Sequence, residues 1–473
     1  MKKYYSLPIV IIFAIVQIIV HTSCAVIVPP SGGPKDTLPP HLVNALPKDS
    51  SLHFKENKIV LTFDEFVDVK GAEQNMIVSP NPLHLPSVEY KLREVTVKLK
   101  DSLLPNTTYT IDFGNSIKDV NEGNIAKNFS YVFSTGNYLD SGELHGKVLL
   151  ANNGKKDTTL IVVLHKNLND TAIKKNPPLY YARLDSSGSF YFKNLPIEKF
   201  AVYALESSYS KRYDDSTQMF AFLDSTVNVH ESSREITLYA FQEAKRKEKK
   251  SSSSTNTTTQ KKSDKSKTAP PKEIKVKLDA GNNGKQDLLS PLSISFSKKY
   301  ETIDTSKIIL CDTLYKKLNG YSFLLDTSQE KVLINYSWKE DEKLCVVVAQ
   351  DAVADSVGNT LANNDTLRFA TQKESEYGSL KFRFNDADTL KNQVLQIIAQ
   401  DKIVQTIPVT SKEYQIKLFP PGDYELRVLY DKNKNGKWDT GNFKNKLQPE
   451  IVKDLKQKIK IKADWDNEFD MNL

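Results

Sequence analysis

Cysteine is scarce, three in 473 residues, which excludes a scaffold stapled by many disulfides and leaves no paired-cysteine zinc signature. Histidine is hardly commoner. The seven are His21, His41, His53, His84, His145, His165 and His230, and none stands in the His-Glu-x-x-His spacing of a metalloprotease. Gly-x-Ser-x-Gly and the phosphate-cradling P-loop are absent too. An enzyme built on an unrecognised carboxylate pair is the one catalytic reading left, because acids are plentiful. Charge of one sign is also lacking once it is located. Of the net +7, residues 243–274 contribute +6 and Lys2 with Lys3 +2, leaving −1 for everything else. Nucleic-acid binding needs Lys and Arg clustered on a folded face, so nucleic acid is not expected as a partner.

Only one long apolar run occurs, Leu7 to Val20, and no sustained helical period follows it. With Met1-Lys2-Lys3 before it and His21-Thr22-Ser23-Cys24 after it, the run has the layout of an export signal. It is short for a hydrocarbon core of roughly 30 Å. An apolar run that stops at a cysteine resembles a bacterial lipoprotein signal. That resemblance implies removal of residues 1–23, lipidation of Cys24 and a membrane held through the lipid anchor. Ala25 after the cysteine, by likeness to sorted lipoproteins, implies the outer membrane. Several acyl chains give lasting attachment, at about 0.8 kcal/mol per buried CH₂. Residues 24–39 read as a tether that proline keeps extended.

Beyond Pro40 the apolar residues alternate with period two, the strand signature. Ile59/Leu61/Phe63, Val95/Val97/Leu99, Tyr109/Ile111/Phe113 and Phe129/Tyr131/Phe133 each line one face. Pro, Gly and Asn clusters separate these runs. The expected class is all-β, a multi-domain string of small β-sandwiches. Residues 40–137 resemble the bacterial Ig-like domain of surface-layer and cell-surface proteins, on Lys58-Ile-Val-Leu-Thr-Phe63, Leu104-Pro-Asn-Thr-Thr-Tyr109, Asp119-Val-Asn-Glu-Gly-Asn124 and Tyr131-Val-Phe-Ser-Thr135. Residues 275–372 repeat the pattern with Leu292/Ile294/Phe296, Asp355-Ser-Val-Gly-Asn359 and Leu367-Arg-Phe-Ala-Thr371, and a repeated order of features marks a repeated unit. Residues 141–241 carry Gly188-Ser-Phe-Tyr-Phe192 and Leu195-Pro196. Residues 376–473 carry Pro420-Pro-Gly422 and Tyr424/Leu426/Val428. Both stretches resemble the prealbumin-like, carboxypeptidase-regulatory sandwich. We call these four stretches modules one to four in chain order: 40–137, 141–241, 275–372 and 376–473. Between modules two and three, residues 242–274 are rich in Lys, Ser and Thr. They have too little apolar area to offset the entropy of ordering, so a disordered linker is expected, one that lets the distal pair move.

The sharpest local motif is Asp431-Lys-Asn433-Lys-Asn435-Gly-Lys437-Trp-Asp439-Thr-Gly-Asn442. Oxygen ligands at positions 1, 3 and 5 with Gly at 6 match the start of a calcium loop. Lys437 would supply its carbonyl, Asp439 stands at position 9, and Asn442 takes the place of the closing Glu. Calcium is the one cofactor the sequence suggests; the bland alternative is an Asx-rich turn. Cys311 and Cys345 would meet as a disulfide if their strands adjoin, and otherwise are two buried thiols. Trp338, Trp438 and Trp465 are candidates for stacking on sugar rings, or for capping cores. Asp36-Thr-Leu38, Asp170-Thr-Ala172, Asp312-Thr-Leu314 and Asp388-Thr-Leu390 resemble a bacterial O-glycosylation signal, against plain turn chemistry. Together these features point to a non-catalytic, lipid-anchored envelope protein that displays Ig-like modules for adhesion, scaffolding or partner binding. Its partners would be an envelope protein or a polysaccharide. A glycan-binding lipoprotein is the alternative, and an enzyme comes third.

Overall fold

The computed structural model describes residues 35–230, 235–244, 273–279, 281, 284–385 and 391–473. The leader, Cys24, residues 245–272 of the linker and the Asp388–Leu390 tripeptide lie outside the described residues. Strand takes 48% of the structure and helix 4%, so the all-β class and its small sandwiches hold.

Alternation in the sequence becomes alternation in burial. Along Lys58–Phe63, Ile59, Leu61 and Phe63 are buried while the residues between them are not. In module one this strand lies within a sheet ordered Leu42–Leu46, Lys58–Phe63, Glu94–Lys98, Ser87–Lys91. A second sheet, Ile77–Ser79, Thr108–Gly114, Phe129–Ser134, closes over it. Ile59, Phe63, Val95, Ile111, Phe113 and Phe133 meet between the two.

Module three repeats the order. One sheet runs Val276–Asp279, Leu292–Phe296, Lys331–Asn335, Ser322–Leu325. The other runs Lys285–Gln286, Asp365–Thr371, Lys343–Val348, Ile308–Asp312. Modules two and four share a different plan. In each, a long first strand (Gly142–Leu150 or Gly378–Phe384) pairs antiparallel on one side and parallel with the module's last strand on the other.

Several strands break the alternation, among them Lys199–Glu206 and Gln393–Ala399. Leu160–His165 is buried at every position. Leu160, Val162 and Leu164 face module two's own core. Ile161 and Val163 face a second apolar cluster that includes Tyr203, Phe220 and Phe222 and is completed by Phe443 of module four. A sheet covered on both faces has no solvent side to make polar. Module four presents Phe443 on the Asp431–Glu450 segment, with its ring centroid 4.9 Å from Phe220 and 5.1 Å from Phe222. The backbones also touch, Val452 N–H donating to Ala151 O at 2.8 Å. Two glycines permit this approach. A Cβ on Gly441 would lie 2.7 Å from the Phe241 ring, and one on Gly154 would lie 2.6 Å from Asp454 N.

The structure corrects three expectations about residues 242–274. The linker does not begin at 242, because Gln242 and Glu243 are part of the joint. Thr440 Oγ1 donates to Gln242 O at 2.6 Å, and the Glu243 carboxylate accepts from Phe443 N–H at 3.1 Å, Asn442 Nδ2 at 3.2 Å and the Tyr213 hydroxyl at 2.8 Å. Nor does it end at 274, since Ile274 is buried in module three and its N–H donates to Thr360 O at 3.0 Å. The distal pair is not free to swing either, because module four is seated on module two. Other joints link the remaining modules. Arg183 donates to the carbonyls of Gln74 and Asn75 at 2.7 and 2.6 Å across modules one and two. Leu288 N–H donates to the Tyr377 hydroxyl at 2.8 Å where module three meets module four.

Replacing Phe443 with Ala should cost about 3–5 kcal/mol, the usual loss for a buried Phe. Modules two and four should then melt separately in calorimetry where the parent chain melts them together. An unchanged thermogram would show that the ring does not couple them.

Candidate functional site

The Asp431–Glu450 segment holds most of the chemistry singled out from the sequence. Asp431 is buried, and its carboxylate accepts the N–H of Asn435 at 3.2 Å and of Gly436 at 2.6 Å. Gly436 turns the chain with φ of 73°, a left-handed value that suits glycine. Asn433 and Asn435 donate their amides to Asp439 Oδ2 at 2.6 and 2.7 Å. Asn435 Oδ1 accepts Lys437 N–H at 2.7 Å. The structure therefore brings Asp431, Asn433, Asn435, Lys437 and Asp439 into one tight loop.

Asn442 does not join them, a correction to its proposed closing role. Its backbone exchanges hydrogen bonds with Leu447, and its amide reaches out to Glu243. Glu450 closes the loop instead. Its two carboxylate oxygens accept Lys432 N–H at 2.7 Å and Asp439 N–H at 3.1 Å, and its carbonyl accepts the Trp438 indole N–H at 2.7 Å. Sequence reasoning missed Glu450 because it lies outside a twelve-residue loop. The available signal was a lone acid directly before a strand. Among the described residues, no Lys or Arg forms an ion pair with Asp431, Asp439 or Glu450, although Lys432, Lys434 and Lys437 sit in the loop.

Cys311 and Cys345 face each other across Ile308–Asp312 and Lys343–Val348. Both are buried thiols, with Sγ atoms 2.7 Å apart. Burial, with Cys345 beside it, pushes the Cys311 thiol up to about 12, so Cys311 is not placed as a reactive thiolate.

The tryptophans do not gather on one face. Trp338 is buried in module three with its N–H on Ser290 O, and Trp438 is half-buried against Glu450 O. Only Trp465 is open, 61% exposed, with Lys462 Nζ 4.5 Å above its ring. Two of the described Asp-Thr tripeptides are Asx turns: Asp36 and Asp312 each accept the N–H two residues on, at 2.9 Å.

One cluster had no counterpart in the sequence reading. Carboxylate oxygens of Glu65, Asp119 and Glu122 lie within 4.8 Å of one another at one end of module one. Asp119 accepts the N–H groups of Glu122, Gly123 and Asn124 at 2.6, 3.0 and 2.6 Å. Burial pushes its carboxyl up, and these donors outweigh that and hold it below the usual range. Glu65 is pushed upward, first by burial and then by Asp36 and Asp119. Asp119 thus organises a turn, as Asp355 does in module three by accepting from Val357 and Asn359. No helix among the described residues is long and apolar enough to cross a membrane.

Residues 36–135 match the family described as bacterial Ig-like domain, which covers module one. No curated protein matches. Among solved structures, the chain is similar to native alpha-2-macroglobulin from Escherichia coli, domains MG0-NIE-MG1, at 10% identity over 40% of this chain and 90% of that one, with a TM-score of 0.20. It is similar to the S-layer protein rSbsC at 12% identity over 84% of this chain and 53% of that one, TM-score 0.16. The major pilin subunit BcpA of Bacillus cereus aligns at 10% identity over 70% of this chain and 99% of that one, TM-score 0.16.

His165 gives the molecule a pH dependence. It is buried on the Ile161/Val163 side of its strand, its Nε2 has no hydrogen-bond partner, and burial lowers its pKa to about 4 from 6.5. A base with a depressed folded pKa stabilises the fold at neutral pH, and that contribution is lost as pH falls from 6.5 towards 4. The loss should be on the order of 2 kcal/mol, after a discount for the ring's residual solvation. His165→Gln should flatten the melting temperature over that interval; a profile identical to the parent would assign the dependence elsewhere.

Proposed function

We propose that this chain is a non-catalytic, lipid-anchored envelope scaffold: Cys24 fixes it to the outer membrane and the sandwiches form a frame that displays surfaces to a partner. The observation that carries the reading is the interlock of modules two and four through Phe443 and Glu243. It turns four beads into one body, touching in the order one, two, four, three. The bacterial Ig-like match of residues 36–135 supports an envelope setting. Palmitate labelling of cells tests the anchor. The parent chain should take up label and Cys24→Ala should not; label retained in the variant would overturn it.

Two chemical details belong to the same proposal. The Asp431 loop takes calcium weakly, through Asp431, Asn433, Asn435, the Lys437 carbonyl and Asp439. Two carboxylates on an extracellular site imply dissociation constants of about 10⁻⁴–10⁻³ M. Calcium should raise the melting temperature of the exported chain, and Asp431→Asn should abolish the rise. No shift with the parent would rule the site out. Cys311 and Cys345 form a disulfide, giving two protons and two electrons to a disulfide-bearing oxidant. Because burial holds the Cys311 thiol protonated, the bond forms before module three closes. Alkylation of the unfolded, unreduced chain should leave both residues unmodified; adducts on both would refute the bond.

Glycan binding is the second reading, and a polar groove between modules one and two suits it better than the tryptophans do. Asn75, Asp112, Asn115, Asn128, Arg183 and Tyr191 line it, a mix of amide, charged and aromatic groups suited to hydroxyl-rich ligands. Titration with envelope polysaccharide that gives no heat would dismiss it.

A further inference from the structure

Edge strands invite pairing with other chains unless something blunts them. Three edges here are visibly managed. In module one, Ser87–Lys91 carries Glu89 and Lys91, and the short helix Ala72–Asn75 covers it, Val88 N–H donating to the Glu73 carboxylate at 3.3 Å. In module three, Ile308–Asp312 is overlaid by its own continuation, with Leu318 N–H on Leu310 O at 3.0 Å and Asp312 N–H on Lys316 O at 3.1 Å. In module four, Lys402–Pro408 opens on a lysine, closes on a proline and has a register shift against its neighbour.

Ser322–Leu325 has none of these devices. It occupies in module three the position that Ser87–Lys91 holds in module one, at the end of the matching sheet. It contains no charge and no proline, and its register on Lys331–Asn335 is unbroken. No described residue hydrogen-bonds to its outer side. Leu324 and Leu325 are 54% and 48% exposed. Its shortness is the only protection it keeps.

We infer that this edge pairs antiparallel with the same edge of a second copy, joining the two sheets into one across a dyad. The register follows from geometry. Facing residues of an antiparallel pair project on the same side of the sheet, and a dyad normal to the sheet preserves sides. Phe323 packs towards the module three core, so Leu324, its neighbour, projects away. A core-side residue must therefore face a core-side residue. Placing Leu324 opposite the second copy's Leu324 sets Phe323 against Leu325 on the core side. On the other side it sets Ser322, a hydroxyl, against the second copy's Asp326, a carboxylate. No like charges meet, which in a strand pair would be destabilising. Self-pairing in this register covers apolar surface with apolar surface and sets a hydroxyl against a carboxylate, and that complementarity favours a second copy as the occupant.

Sedimentation of the full chain lacking its leader, from micromolar to sub-millimolar concentration, should show a reversible monomer–dimer equilibrium. Leu324→Lys would place two ammonium groups together at the dyad and should abolish the dimer with an unchanged melting temperature. Leu324→Cys should give a covalent dimer under mild oxidation, whereas Glu89→Cys on the covered edge should not. A chain that stays monomeric throughout, a dimer that survives Leu324→Lys, or a Leu324→Cys chain that fails to cross-link would each overturn the proposal.

Discussion

The architecture depends on one contact, the seating of Phe443 in the aromatic cluster of Tyr203, Tyr213, Phe220 and Phe222. Without it the aromatic cluster on the outer face of module two's larger sheet, which Ile173 and Tyr213 of the same module also join, would leave apolar surface turned to water. Large exposed patches of that kind are uncommon on a soluble surface and favour association. Module four supplies the cover, and the polar groups around it fix its orientation. Glu243 gathers a backbone N–H, an amide and a hydroxyl, while Lys446 lies over the Phe443 ring and pairs with Asp170. The apolar area drives the contact, and the hydrogen bonds select one geometry among the many that would hide the same area.

That contact also changes what the Asp431–Glu450 segment is for. Read alone, it is a calcium-like loop followed by turn residues. In the folded chain its first half is a self-satisfied turn stapled by Glu450, and its second half, from Thr440 to Gln448, is the docking arm. The turn matters to the arm because Trp438 and Asp439, bonded to Glu450, stand directly before it. Anything that tightens the loop limits the freedom of the arm, and so the loop and the joint are one mechanical element.

How much of this the sequence disclosed varies with the range of the interaction involved. Lys58–Phe63 and Gly378–Phe384 alternate because one face meets a core formed by nearby strands, and a short window of residues suffices to see that. Leu160–His165 does not alternate, because its second face joins a cluster built from other parts of module two and from Phe443 far along the chain; no local pattern names those residues. Glu243 and Ile274 look like the margins of a solvated linker by composition, and each is fixed by a partner outside the linker. Cys311 and Cys345 stand out as a pair in the sequence, but their facing positions emerge only with the strand register. Asn442 and Glu450 show the same limit within the loop. Spacing put the amide in the ligand position, whereas the path of the chain delivered the carboxylate.

The joint has a consequence for the continuity of the backbone. Modules two and four are held by packing and hydrogen bonds that do not pass through residues 245–272. A cut anywhere in that stretch would leave the halves clasped, and a nicked molecule would stay a single particle. Covalent connection there serves to deliver the second half to the first at high local concentration. Halves produced as separate polypeptides would carry the complementary surfaces of a split protein.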